Sequence, residues 1–125
     1  MRKIVFRGKD KRTDEWINWD FYYNDKFRKK YIEPNTIGQF TGVFDDTDER
    51  KPIWEGDILE IEKINDDATS QKVIAVVKWL NIFGGFVVER LNKKGSIALF
   101  SQVISDFIVY KKGNIYDNPE LLKGD

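Results

Sequence analysis

The residues of this chain whose types and spacing could do chemistry are mostly carboxylates. Glu60 and Glu62 lie two apart in a stretch that alternates with Leu59 and Ile61, so on a strand both carboxylates share one face. Such a pair can hold magnesium or divide acid and base work. Glu55 and Asp57 flank Gly56 in Trp54-Glu55-Gly56-Asp57, and Asp45, Asp46, Asp48 and Glu49 crowd another short stretch. A calcium loop spaces its ligands at alternate positions around a central glycine and ends on a distant glutamate. That pattern is missing, so the cluster reads as a solvated turn. Nothing places a third ligand or a lysine beside Glu60 and Glu62, which read as the outward face of an edge strand whose charges discourage further pairing. Glu55 and Asp57 read as turn chemistry, with Gly56 supplying a permissive backbone and Asp57 bonding nearby amides.

The chain has no histidine and no cysteine. This removes the commonest general base, thiolate nucleophiles, disulfides and the usual zinc ligands. The reading is therefore of a protein that is not an enzyme, with no catalytic residue, no cofactor and no metal site.

Two further groups suit binding. Lys26, Arg28, Lys29 and Lys30 interleave with Phe27 and Tyr31, the composition that grips phosphates and stacks bases. The plain alternative is a wet basic segment whose aromatics pack inward. With 21 basic and 21 acidic residues, no global field steers the protein onto nucleic acid. Trp16, Trp19, Phe21, Tyr22 and Tyr23 form a denser aromatic block than one hairpin can bury. Aromatics concentrate at the buried centres of interfaces, so part of this block is expected to meet another subunit.

The elements that would position these residues are mostly strands. Residues 3–22 read as a β-hairpin, with Trp16 and Trp19 on opposite faces. Tyr23, Phe27 and Tyr31 have helical spacing closed by Pro34. From Ile53 on, short strands divided by glycine-bearing turns fit a small barrel. Ile58 to Ile64 is one strand, and Val73 to Trp79, nearly all apolar, is the central one. Phe86 to Leu91 follows, and Asp106 to Lys111 is the last, with irregular structure before it and no helical period in this half. Trp54, Trp79, Phe83, Phe86 and Phe107 are the expected aromatic core. In the tail, Asn118 caps a turn that tucks Leu121 and Leu122 inward, worth roughly 3–5 kcal/mol. The organisational boundary falls in the acidic turn, giving an N-terminal extension over residues 1–50 and a compact unit over 51–125. No apolar stretch reaches the length of a signal peptide's core or a membrane span, so a soluble, cytoplasmic protein is expected.

Three stretches, in order and spacing, resemble the YopX-like proteins of bacteriophages and prophages. They are Gln39-Phe40-Thr41-Gly42, Ile53-Trp54-Glu55-Gly56-Asp57-Ile58 and Gly113-Asn114-Ile115-Tyr116-Asp117-Asn118-Pro119-Glu120-Leu121-Leu122. The hairpin from Lys3 to Trp16 also fits that family's opening, and Asp117 stands where glutamate is frequent. The resemblance implies a mainly β fold with an SH3-like barrel in the C-terminal region, an N-terminal β-hairpin extension, homo-oligomers and a phage or prophage origin. It brings no activity and no site. The expected function is that of a non-enzymatic phage accessory protein acting through self-association and contact with a host or phage protein. The alternative is nucleic-acid binding through Lys26 to Tyr31.

Overall fold

The computed structural model describes residues 4–20 and 30–123. Its strands fall into two antiparallel sheets, and the chain divides into two compact units, Met1–Phe40 and Thr41–Asp125.

In the first unit, β1 (Val5–Lys9) and β2 (Trp16–Asp20) form a hairpin in the register Phe6↔Trp19 and Lys9↔Trp16. The pairing puts Trp16 and Trp19 on opposite faces, as the alternation requires. Trp19 stacks on Phe6 at a centroid distance of 6.2 Å. The Arg7 guanidinium lies 4.2 Å from the centroid of the Trp16 ring, with the Lys9 ammonium at 5.3 Å. Asp10 is buried and takes a two-pronged grip from Arg12, with Nε to Oδ1 at 3.2 Å and Nη2 to Oδ2 at 3.0 Å. The turn Pro34–Thr36 is tied back by the Lys9 amide, which donates to Thr36 Oγ1 at 2.8 Å. Strand β3 (Gly38–Phe44) pairs with β1 at its start, through Phe6↔Gln39 and Arg7↔Gly38, and crosses the boundary between the units.

In the second unit the end of β3 lies beside β4 (Pro52–Trp54), where Thr41 Oγ1 donates to the Ile53 carbonyl at 2.8 Å. The remaining strands are β5 (Asp57–Ile64), β6 (Ser70–Leu80), β7 (Gly85–Arg90), β8 (Ile97–Leu99) and β9 (Ile108–Asn114). They form one sheet in the order β8-β7-β6-β5-β9, open at both ends. The expected central strand is indeed the middle one, and Ala75, Val76 and Val77 are buried. Leu59, Ile61, Ala75, Val77, Val88 and Val109 form the heart of the core. Alternation along β5 sends Leu59 and Ile61 inward and Glu60 and Glu62 outward.

The fold is mainly β, and several details differ from expectation. A seven-residue helix, α1 (Phe100–Asp106), precedes β9 where irregular structure is expected, and buries Phe100 and Val103. Trp79 and Phe83 are 42% and 55% exposed, because β6 emerges from the core before Trp79 and Phe83 sits in the turn Asn81–Phe83. In the tail turn Pro119–Lys123, Leu122 is 42% exposed, so the tail buries close to one leucine, worth about 2 kcal/mol.

Candidate functional site

The residues that carry the sequence signature meet each other. Gly56 sits at φ +91°, a left-handed conformation open to glycine, and a Cβ there would stand 3.0 Å from Tyr116 Cε2. Its amide donates to the Val77 carbonyl at 2.9 Å, and its carbonyl accepts from the Ile115 amide at 3.0 Å. Pairing of Asp57 with Asn114 and Ile58 with Gly113 then lays the Trp54-to-Ile58 stretch along the end of β9. The Asp57 carboxylate is fully buried. Its Oδ2 accepts from the Trp54 amide at 2.7 Å and meets Lys111 Nζ at 3.1 Å. A buried carboxylate so paired closes a turn; removing the lysine would leave an uncompensated charge in the core.

Beyond β9 the chain knots on itself. Asn114 Oδ1 accepts from the amides of Tyr116 and Asp117, both at 2.9 Å, and Asn114 Nδ2 donates to Asp117 Oδ2 at 3.1 Å. Asn118 Oδ1 reaches back to the Asn114 amide at 3.1 Å. Its side chain thus closes the preceding loop, where the residue type alone suggests a forward cap. A Cβ on Gly113 would lie 2.3 Å from that same Oδ1, so the knot requires glycine there.

Asp46, Asp48 and Glu49 of the acidic turn are exposed as expected, but Asp45 is not. Asp45 is 1% exposed. Its Oδ1 accepts from the Lys51 amide at 2.8 Å, the Thr47 hydroxyl at 2.6 Å and the Thr47 amide at 3.2 Å. Its Oδ2 accepts from the Lys111 amide at 2.8 Å. Asp46 Oδ2 accepts from the Val109 amide at 2.7 Å, and the Asp46 amide returns a bond to the Val109 carbonyl at 2.8 Å. Burial opposes ionisation of Asp45, but hydrogen bonds from the Thr47 hydroxyl and from the Lys111, Lys51 and Thr47 amides outweigh it and hold the carboxyl below its ordinary range. These carboxylates spend their lone pairs on the backbone of β9 and of their own turn, which leaves them poorly placed to ligate a cation. Sequence reasoning missed this role because the partners lie 63 and 66 residues away. A local signal was present: Asp45 followed by Thr47 repeats as Asp67 followed by Thr69, and the second pair makes the same Asp–Thr side-chain bond at 2.6 Å.

Glu60 and Glu62 do share a face, but on an interior strand between β6 and β9, not on an edge. Lys72 Nζ lies 3.7 Å from one and 3.8 Å from the other, and Lys112 Nζ lies 3.8 Å from Glu60. The pair is neutralised by lysines on its neighbouring strands.

Of the basic run, Lys26, Arg28 and Lys29 lie outside the described residues. Lys30 is described, its Nζ 5.8 Å from the centroid of the Tyr31 ring, over which Arg12 also sits at 3.8 Å. Of the aromatic block, Phe21, Tyr22 and Tyr23 lie outside the described residues, while Trp16 and Trp19 are half-buried. Among the described residues no helix is long and apolar enough to cross a membrane.

Fold and site together define a mainly β protein whose distinctive residues hold turns and strand ends in place. The chain belongs to the YopX protein family, which it matches over residues 10–123. Membership suggests a phage-type protein. No curated protein matches the chain.

Proposed function

We propose that this protein is a non-enzymatic accessory factor of a phage or prophage, working in the host cytoplasm through self-association and contact with other proteins. The observation that carries the reading is a set of exposed apolar side chains in the second unit. Ile82 is 86% exposed, Phe83 55%, and Leu99 42% on the end strand β8. Contiguous exposed apolar groups mark sites of association, and Ile82 and Phe83 are adjacent in one turn. In the same direction, the signature carboxylate Asp57 and the acidic pair Asp45 and Asp46 are engaged in structural bonds. An SH3-like arrangement belongs to this proposal. Its support is the strand path, in which β5 to β8 run as a meander, a helical turn follows, and β9 returns beside β5.

Light scattering on the purified chain tests it. A defined oligomer is expected, and Ile82→Asp with Phe83→Asp is expected to reduce it to the monomer mass. Trp19→Glu asks whether the hairpin also contributes. A monomer at all concentrations would overturn the reading. A mass shift on adding DNA or RNA would instead support the alternative, binding through Lys26, Arg28, Lys29 and Lys30; the cations gathered over Tyr31 are the observation in its favour.

A further inference from the structure

Between the inner face of β5, β6 and β7 and the helix α1 lies an apolar cavity of about 250 Å³. Ile61, Val73, Ala75, Val88, Val103 and Phe107 give it its apolar lining. The register explains why these residues share a face: Ile61 pairs with Val73, and Val77 with Val88. The same alternation adds polar groups to the cavity, since Lys63 pairs with Gln71 and Ala75 with Arg90. Among the described residues of the lining, the charged ones are Lys63 and Arg90, both cations.

Arg90 is the informative one. Its side chain makes no hydrogen bond or ion pair among the described residues. A guanidinium without a protein partner is a ready donor for a bound anion. Lys63 also lines a neighbouring hollow with Glu62 and Asp106. Arg90 has no such neighbour among the residues lining the cavity.

We infer that this cavity binds a small apolar monocarboxylate, its chain among Val73, Ala75 and Val103 and its carboxylate on the Arg90 guanidinium, with Lys63 assisting. Size sets the chain. A dry apolar cavity of about 150 Å³ accepts benzene, so one of about 250 Å³ suits roughly six to eight carbons. Charge sets the headgroup, because the planar guanidinium fork matches a carboxylate. The inference does not depend on self-association.

A methyl NMR titration of the full chain tests it, with octanoate as the probe and 1-octanol as its uncharged counterpart. Octanoate is expected to shift the methyls of Val73, Ala75 and Val103 and to bind more tightly than octanol. Arg90→Gln is expected to weaken octanoate about ten-fold, the scale of a charged hydrogen bond, with octanol unchanged. Because the Arg90 side chain has no hydrogen bond or ion pair to lose among the described residues, this variant is expected to keep its melting temperature. Ala98→Phe, at an exposed position in the lining, is expected to obstruct both probes. Equal affinity for the two probes, an unchanged ratio in Arg90→Gln, shifts that ignore Ala98→Phe, or no shifts at all would each overturn the inference.

Discussion

At one edge of the five-stranded sheet, β9 donates the amides of Val109 and Lys111 to the carboxylates of Asp46 and Asp45. At the other, β8 is the end strand and leaves Ile97 and Leu99 about 40% exposed. An edge strand is a template for another chain unless something covers it. Two aspartates do the work of a neighbouring strand at β9, satisfying alternate amides with side-chain oxygens. At β8 the strand is short, with three residues. The difference teaches that one edge of the sheet is closed by side-chain acceptors while the other ends in a short strand with exposed apolar residues.

The sharpest way to break the comparison is Asp45→Ala. It strips acceptors from the amides of Lys51 and Lys111 and is expected to cost about 3 kcal/mol, measured by chemical denaturation. Acid reaches the same bonds. The carboxyl of Asp45 titrates below its ordinary value near 3.8. Its contribution is therefore present above that value and lost as pH falls through the lower folded one. The stability advantage of the wild type over Asp45→Asn is thus expected to be constant from neutral pH to about 5 and to shrink below about 4. Gly113→Ala, which sets a methyl against the Asn118 side chain at the end of the covered edge, is expected to cost about 2 kcal/mol. Leu99→Lys on the bare edge is expected to change stability by less than about 0.5 kcal/mol. If β8 is used for association it lowers the mass by light scattering, and an unchanged mass moves the contact elsewhere.

The middle of the molecule was legible from its residues. Alternation in Ile58 to Ile64, the apolar run Val73 to Trp79 and the paired glycines before Phe86 mark strands that the structure contains. The helix α1 was not legible, because seven residues burying only Phe100 and Val103 show too little period to read. Trp79 and Phe83 were misplaced for a related reason: aromatic type says that a side chain prefers burial, not where a strand leaves the core. The turn at Gly56-Asp57 was read correctly in kind, since glycine and aspartate act on their immediate neighbours. The Asp45–Thr47 spacing signals the local turn, but the bonds of Asp45 and Asp46 to β9 were invisible, because a bond to a strand far along the chain leaves no local periodicity.

That distance has a consequence for how the molecule comes apart. The bonds from β9 to Asp45 and Asp46 close loops of 66 and 63 residues, and contacts of such separation form late, once nearer strands have already paired. Loss of Asp45 should then leave the rate of folding nearly untouched and appear almost wholly as faster unfolding. The two aspartates act less as part of the folding nucleus than as a brake on release, setting how long the finished sheet survives.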